Sequence, residues 1–399
     1  MTEAAPPAPR IPLLPLAFTN FTIGAGAFFV IGLIGPLTAS LGLSKVQAGW
    51  IMGAYAFGYA LSSPILVSLT GGRPRRDVIL TGMGLFIAAS VLSAFSWNAP
   101  TLYAARTLAA VGAGLVTPVV AGVAAASSAP ERRGVALSIV FSGMTLSQVV
   151  GVPAGAFIGF TFGIEAAFFT AALLCALAGA WIVLSTSRNA PFAPQSLRTL
   201  GRTLLSPPHL VGVTLTVTIA MSGYVAFTFM GPLAEMRLGM GRDGVALMLL
   251  AAGLGAFGGS IGGGFLVDRL GATPTLVLSL VGQVIASPLL TLVPFGLFGG
   301  MALAFFWSLV GWSFTVPQQT RLIALDPGAQ GVMLALNAAG IYLGSGIGSG
   351  LAGLIADGYG TEATGVAGGL LGVLALAHLA LSERLARRHA SRQPEPRRA

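Results

Sequence analysis

Charged residues are scarce in this chain of 399 residues. Only 8% of the sequence is charged, whereas 55% is hydrophobic. A soluble protein has about a quarter of its residues charged, so the composition excludes an ordinary soluble domain and is typical of a protein that has lipid as its solvent. At about 30 residues for a span and its loop, the length allows about twelve helices of ~20 residues each.

Cysteine and histidine are almost absent, and the acidic residues are scattered. The one cysteine, Cys175, lies in an apolar run, so no intrachain disulfide can form. Three histidines and twelve acidic residues form no cluster of the kind that metal binding or acid–base catalysis needs. We therefore expect no metal ion, no cofactor and no enzyme activity, with a lipid-modifying enzyme or a membrane-embedded sensor as remote alternatives.

Lysine occurs once, at Lys45, and the net charge of +9 comes from arginine. The arginines cluster in loops between apolar runs, which argues against nucleic acid as a partner. In the predicted topology seventeen basic residues lie on one side of the membrane and three on the other, and the positive-inside rule makes the richer side cytoplasmic. We predict a multi-pass membrane protein with both termini cytoplasmic. We expect the arginine-rich C-terminal tail to fix this topology. The alternative role for the tail is to bind lipid or nucleic acid.

Twelve apolar runs are each long enough to span a bilayer as a helix. Their bounds are 14–39, 46–69, 78–96, 101–126, 135–160, 165–185, 209–235, 244–267, 275–293, 295–322, 331–356 and 362–382. The runs predict an all-α membrane protein of twelve transmembrane helices in two pseudo-symmetric six-helix halves. The halves cover 14–185 and 209–382, with a polar cytoplasmic linker at 186–208 and cytoplasmic tails at 1–13 and 383–399.

Small residues recur at every fourth position of the fifth run and share one helical face. They are Gly143, Ser147, Gly151, Gly155 and Gly159. Pro153 lies within this stripe and removes a hydrogen-bond donor, so the helix should bend or loosen there. A stripe of this kind allows tight packing in lipid, and a bent, glycine-lined helix is also suited to act as a pivot. Both interpretations stay open.

The eleventh run carries a second stripe, formed by Gly340, Gly344, Gly348 and Ala352. The two segments align without gaps at an offset of 197 residues, which is about half of the chain. This repeat indicates two related halves. Halves that rock around a shared midplane site are the usual build of secondary transporters.

Three stretches resemble the major facilitator superfamily, and the resemblance covers most of the chain. After the second span, GYALSSPILVSLTGGRPRRDVIL is similar to the family's loop motif G-x-L-x-D-R-x-G-R-R; Arg75 and Arg76 remain, but Gly71 replaces the family's Asp. The second half keeps Asp268 and Arg269 in GGGFLVDRLGATP. The resemblance implies a cytoplasmic latch between helix ends that is weaker in the first half. Arginines that only mark the cytoplasmic side are the alternative.

The fourth span, LYAARTLAAVGAGLVTPVVAG, resembles the family pattern R-x-x-x-G-x-G and places Arg106 inside an apolar helix. A charge is costly there, so it should face a cavity or a partner. The resemblance implies a role for Arg106 in proton coupling. None of the acidic residues falls at mid-membrane in the predicted topology, and Glu165 is the nearest candidate partner. Capping of the carbonyls of a neighbouring broken helix is the structural alternative.

The stretch GVPAGAFIG resembles the fifth-span motif of antiporters and exporters, and with the first span it is most similar to the bacterial drug- and sugar-efflux (arabinose-efflux-like) branch. The resemblance implies a secondary active transporter of the bacterial plasma (inner) membrane. It would export a drug, sugar or related metabolite by alternating access, coupled to protons. That branch often carries a carboxylate before a Phe in the first span, where this chain has Gly26, Ala27 and Phe28. An uncoupled facilitator or importer of a neutral or anionic solute is therefore the alternative.

A solute cavity between the halves would be lined by polar and aromatic residues near the middle of the spans, with Arg106 beside them. The candidates are Asn20, Tyr55, Tyr59, Gln148, Tyr224, Gln283, Trp307, Trp312, Gln318, Asn337 and Tyr342. For each of them, hydrogen bonding between helices or an interfacial belt is the structural alternative. We expect a monomer whose partners are a small solute, the lipid bilayer and protons.

Overall fold

The computed structural model describes residues 11–129, 132–192, 197–238, 241–294 and 296–390. Within these ranges the chain is mostly helical, has no β-strand, and contains twelve helices long and apolar enough to cross a membrane. In chain order, spans 1 to 12 are Leu13–Leu41, Lys45–Leu69, Arg75–Ala94, Ala99–Ala126, Arg133–Phe162, Ile164–Ser185, Pro207–Arg237, Gly241–Leu270, Ala272–Leu292, Leu297–Leu325, Pro327–Tyr359 and Ala363–Arg388. The predicted fold class is confirmed.

The span boundaries lie within a few residues of the predicted ones, but two predicted loops contain helix. The linker holds the short helix Leu197–Leu205, because LRTLGRTLL places leucines at helical spacing. The last helix, Ala363–Ala390, continues into the predicted tail, where ERLARRHA is rich in helix-forming residues. The tail beyond residue 390 and the first ten residues lie outside the described part of the chain.

Span 5 changes its helical geometry one turn before Pro153. Arg133–Leu146 and Val152–Phe162 are α-helical, and Ser147–Gly151 between them is π-helical. A proline removes one amide donor and crowds the carbonyl four residues earlier, which here belongs to Val149. The predicted loosening of this helix at Pro153 is therefore confirmed.

The two small-residue stripes pack equivalent helices together in the two halves. Span 5 packs on span 1, where a Cβ at Gly151 would lie 3.2 Å from the Cα of Ala25. Span 11 packs on span 7, where a Cβ at Gly348 would lie 3.1 Å from the Cα of Met221. Met221 lies 196 residues after Ala25, and Gly348 lies 197 residues after Gly151. The internal repeat therefore also relates the helix contacts of the two halves. The packing interpretation is confirmed, and the pivot stays a prediction.

Because the number of spans found is even, both ends of the described chain lie on one side, here called the terminal side. The opposite side is the distal side. Spans 2 and 11, one from each half, cross closely on the distal side. We call this contact the distal seam, formed by Lys45, Gly49, Gly53, Ala56, Gly346, Gly350, Gly353 and Ala356. Lys45 Nζ donates to the Ala356 carbonyl at 3.0 Å, and a Cβ at Gly346 would lie 2.6 Å from the Cβ of Ala56.

Spans 5 and 8 make a second contact between the halves, from mid-depth to the distal end. A Cβ at Gly253 would lie 2.6 Å from the Cα of Val149. Nearer the distal end, Arg242 Nη1 donates to Thr161 Oγ1 at 3.3 Å, and its guanidinium lies 5.0 Å from the ring centroid of Phe157. This contact is equivalent to the distal seam, because span 5 corresponds to span 11 and span 8 to span 2.

Toward the terminal side, span 5 separates from span 8. The buried residues of Arg133–Leu146 are Ala136, Val140 and Gly143, which share the face toward span 1. Val135 and Ile139 on the other faces are exposed. The two halves are thus joined on the distal side and diverge between spans 5 and 8 toward the terminal side.

Candidate functional site

Three tyrosines from both halves meet at the centre of the molecule. Tyr55 and Tyr59 lie one turn apart on span 2, and the ring of Tyr342 on span 11 lies 5.9 and 4.1 Å from theirs, between centroids. Phe28 of span 1 stacks on Tyr342 at 6.3 Å. All four side chains are buried. The structure thus brings three predicted cavity residues together. It adds Phe28, which the sequence marks only as the Phe beside the missing carboxylate of the first span.

Arg106 of span 4 is fully enclosed beside these tyrosines, with 1% of its surface exposed. Its guanidinium donates to the carbonyls of Gly26 and Ala27 at 2.9 and 2.8 Å, and it lies 4.8 Å from the ring centroid of Tyr55. These contacts match the alternative in which Arg106 caps carbonyls of a neighbour, although span 1 is continuous there.

The predicted pairing of Arg106 with Glu165 is not formed. Glu165 is exposed at the distal start of span 6, and its carboxylate lies close to the backbone of Gly163. The buried guanidinium finds acceptors in span 1 instead, because backbone carbonyls can stabilise a charge inside the bundle without burying a carboxylate. Any coupling role of these two residues does not act through a direct ion pair in this conformation.

A small cavity lies beside the tyrosines, within the second half. Its wall includes the predicted residues Tyr224, Gln283, Trp307 and Trp312, and also Ile341, the neighbour of Tyr342. The rings of Tyr224 and Trp312 are 6.3 Å apart between centroids. The cavity volume is about 30 Å³, which holds about two water molecules. The site is closed to a larger solute in this conformation.

Buried polar atoms around the tyrosines and this cavity have no hydrogen-bond partner among the described residues. They are the hydroxyls of Tyr55 and Tyr224 and both amide atoms of Gln283. Buried polar groups are nearly always hydrogen-bonded, because an unpaired one loses its water without compensation. These four atoms border the centre of the molecule, where a polar solute or water can bind.

Three other predicted cavity residues lie away from this centre. Asn20 donates to the Val140 carbonyl at 3.2 Å and so joins spans 1 and 5. Gln148 lies in the π-helical turn, where its backbone packs against Gly253. Asn337 accepts a hydrogen bond from Thr216. For Asn20 and Asn337, contact between helices is the observed role.

A chain of hydrogen bonds runs from Asn337 to the terminal side of the second half. Thr216 Oγ1 donates to Asn337 Oδ1 at 2.8 Å and accepts from Gln318 Nε2 at 2.9 Å. Arg321 Nη1 donates to Gln318 Oε1 at 3.0 Å, and Arg321 pairs with Glu383 at 2.7 Å. In the sequence, Arg321 and Glu383 are only two charges near the terminal ends of spans 10 and 12. The spacing of Gln318 and Arg321 on one helical face was the available signal.

Residues 16–334 match the family model described as Major Facilitator Superfamily. The chain belongs to the major facilitator superfamily. Among its relatives, the MFS-type transporter YbcL of Bacillus subtilis is 28% identical over 86% of this chain and 88% of its own length. The inner membrane transport protein YdhP of Escherichia coli (strain K12) is 27% identical, covering 94% and 96%. A chloramphenicol resistance protein of Streptomyces lividans is 28% identical, covering 69% and 70%.

Solved structures of superfamily members share the fold. A bacterial homologue of the human lysosomal transporter Spinster, solved in an inward-facing and unoccupied conformation, superposes with a TM-score of 0.76 at 16% identity, covering 96% of this chain and 98% of the homologue. A D-xylose–proton symporter gives a TM-score of 0.73 at 17% identity, covering 92% and 96%. The predicted family and its twelve spans are therefore confirmed.

The loop motif of the superfamily contacts other segments of the chain in the first half, and the predicted latch stays a prediction. Arg75 is buried over the ring of Phe192, with its guanidinium 4.3 Å from the centroid. Arg76 Nη1 lies 3.5 Å from the carbonyl oxygens at the end of span 6, as expected for a cation at a helix C-terminus. In the second half Asp268 and Arg269 are exposed and form no ion pair within the described ranges. The guanidinium of Arg269 lies 4.1 Å from the ring centroid of Phe265 on its own span.

Proposed function

We propose that this superfamily transporter exports a small, uncharged solute across the bacterial inner membrane by alternating access, in exchange for protons. The observation that carries the proposal is the tyrosine cluster. Tyr55 and Tyr59 belong to one half and Tyr342 to the other, so a solute bound among them contacts both halves. Binding there is coupled to the relative position of the halves, because only one arrangement brings all three rings together.

The arrangement of the halves supports alternating access. The distal seam and the contact of spans 5 and 8 close the distal side. Spans 5 and 8 separate from each other toward the terminal side. With the arginine-rich terminal side placed in the cytoplasm, the structure corresponds to a state closed to the outside. The opposite state requires the distal seam to open.

Export is supported by the GVPAGAFIG stretch of span 5, whose proline and glycines match the exporter motif, and by the chloramphenicol resistance relative. An uncharged solute is supported by the absence of a carboxylate at mid-depth among the described spans. The guanidinium of Arg106 is already bonded to carbonyls of span 1.

A facilitator without proton coupling is the second candidate. It is favoured by the exposed position of Glu165 and by the missing carboxylate beside Phe28 in span 1. Proton coupling requires a group that changes its protonation between the two states, and Arg106 keeps its proton at any accessible pH.

The test uses inverted vesicles that contain the protein, with an acidic interior and a pH-sensitive dye. Chloramphenicol, sugars, nucleosides and amino acids are added in turn. We expect one class to cause proton efflux that Tyr342→Ala abolishes and Tyr359→Ala retains, because Tyr359 is on the same span but 84% exposed. Solute movement without protons would support the facilitator. Equal transport by both variants would refute the central site.

A further inference from the structure

Gln283 is buried in the second half with its amide group unused. The residue lies on span 9 and is 4% exposed. Neither Nε2 nor Oε1 has a hydrogen-bond partner among the described residues, and the side chain forms part of the wall of the small cavity. A glutamine amide carries two donors and an acceptor with two lone pairs, so its burial without partners is costly.

Glycines on two neighbouring spans lie beside this amide. A Cβ at Gly311 of span 10 would lie 2.8 Å from Gln283 Oε1, and a Cβ at Gly223 of span 7 would lie 3.8 Å from Nε2. Gln283 and both glycines line the cavity. Both amide atoms are enclosed in this conformation, so a solute reaches the amide only when the cavity widens.

The rest of the wall is uncharged and combines five aromatic residues with aliphatic ones such as Ile219 and Leu280. Trp312 and Tyr224 pack edge to face, and Phe227 stacks on Trp307. The indole of Trp307 is fixed by a hydrogen bond to Ser287 Oγ at 2.8 Å. Among the described residues that line the cavity, none carries a charge. Such walls suit a planar apolar group, and a charged group would lie there without a counter-ion.

We propose that Gln283 recognises the carboxamide or lactam edge of a planar, uncharged solute, with the aromatic walls contacting its ring. This inference rests on the proposed function and names the substrate class of that transporter. An N–H and a C=O side by side on the solute match the acceptor and donor of the glutamine amide. The solute enters as the cavity widens, because its volume of about 30 Å³ is too small for a ring in the closed state.

Binding is measured by quenching of tryptophan fluorescence in the purified full-length protein in nanodiscs. The probes are 4-nitrobenzamide and N,N-dimethyl-4-nitrobenzamide, which share the ring and carbonyl but differ in amide donors. We expect the wild type to bind the primary amide about tenfold more tightly. Gln283→Leu should bind both equally, whereas Gln148→Leu, outside the cavity, should keep the preference. Equal binding of both probes by the wild type, or an unchanged preference in Gln283→Leu, would overturn the inference.

A stability measurement separates recognition from a structural role. Because the amide has no partner, Gln283→Leu should unfold at the same or a higher temperature than the wild type. A lower unfolding temperature would assign Gln283 to packing and overturn the inference. Binding without transport in vesicles would refute the proposed function alone, and transport unaffected by Gln283→Leu would refute the inference alone.

Discussion

Adding one methyl group at Gly353 is expected to shift the transporter toward a state open on its distal side. Gly353 of span 11 lies in the distal seam, against the start of span 2. A Cβ at this position would lie 2.6 Å from the Lys45 carbonyl oxygen and 3.0 Å from the Cα of Val46. Carbon–oxygen contacts between helices begin at about 3.3 Å, so the spans must separate by about 0.7 Å in Gly353→Ala.

The cost of this separation falls on the closed state alone. Overpacking of a close contact costs about 1–3 kcal/mol, and each 1.4 kcal/mol is about a tenfold change in an equilibrium constant. The ratio of distally open to closed molecules should therefore rise about 5- to 150-fold. The helix propensity gained by replacing glycine with alanine is the same in both states and cancels.

The assay measures access from the distal side to a position behind the seam. Ser345 is 1% exposed on span 11, and Ser345→Cys introduces a thiol there at almost constant volume. The native Cys175 is fully buried and provides the unreactive background. A membrane-impermeant maleimide is added to intact cells and, separately, to inverted vesicles.

The matched control is Gly262→Ala on span 8, because a Cβ at Gly262 would meet no described atom within 4 Å. We expect Gly353→Ala to accelerate labelling from the distal side only, and Gly262→Ala to leave both rates unchanged. Equal labelling rates in the two variants would refute the steric argument. Faster labelling from the terminal side would refute the assignment of the seam as the distal gate.

Three further predictions follow from contacts inside one half. Gly344→Ala should lower the free energy of unfolding by about 1–3 kcal/mol, because a Cβ at Gly344 would overlap the Val217 carbonyl within the same half. Thermal unfolding measures this loss. The labelling rate of Ser345→Cys should stay the same, and a changed rate would contradict the prediction. Glu383→Ala should lower the free energy of unfolding by roughly 3 kcal/mol, because the ion pair of Glu383 with Arg321 is largely buried. Asp77→Ala should lower it by less than about 1 kcal/mol, because the ion pair of Asp77 with Arg188 is exposed. Denaturant unfolding measures both losses, and equal losses would contradict the prediction. Arg106→Lys should reduce transport about tenfold while the protein still folds. The single nitrogen of an ammonium cannot reproduce the planar fork in which two guanidinium nitrogens donate to Gly26 and Ala27. Vesicle transport at wild-type level would argue against that role.

The sequence alone determines the membrane-spanning helices and their number. Hydropathy and helix propensity are properties of neighbouring residues, and in lipid every backbone amide must be satisfied inside its own helix. The same locality explains why the loosening at Pro153 is predicted correctly. The helix Leu197–Leu205 is missed because its proline-rich surroundings dominate the interpretation of the linker.

Only the tertiary structure decides which helices the small-residue stripes approach and which residues meet. The stripe around Gly151 is visible in the sequence, but its partner Ala25 is 126 residues away. Tyr342 is far along the chain from Tyr55 and Tyr59, and only the assembly of both halves brings the rings together.

Arg106 shows most clearly which contacts depend on the tertiary structure. Its position in an apolar helix predicts that it needs a partner, and the sequence offers Glu165 as a carboxylate. The actual acceptors are the carbonyls of Gly26 and Ala27, which every residue possesses and which therefore leave no trace in the sequence. The unpaired amide of Gln283 is hidden in the same way, because satisfaction of a polar group depends on neighbours in space. Local chemistry thus fixes the spans, and the geometry of the packed backbone selects the contacts that form the site.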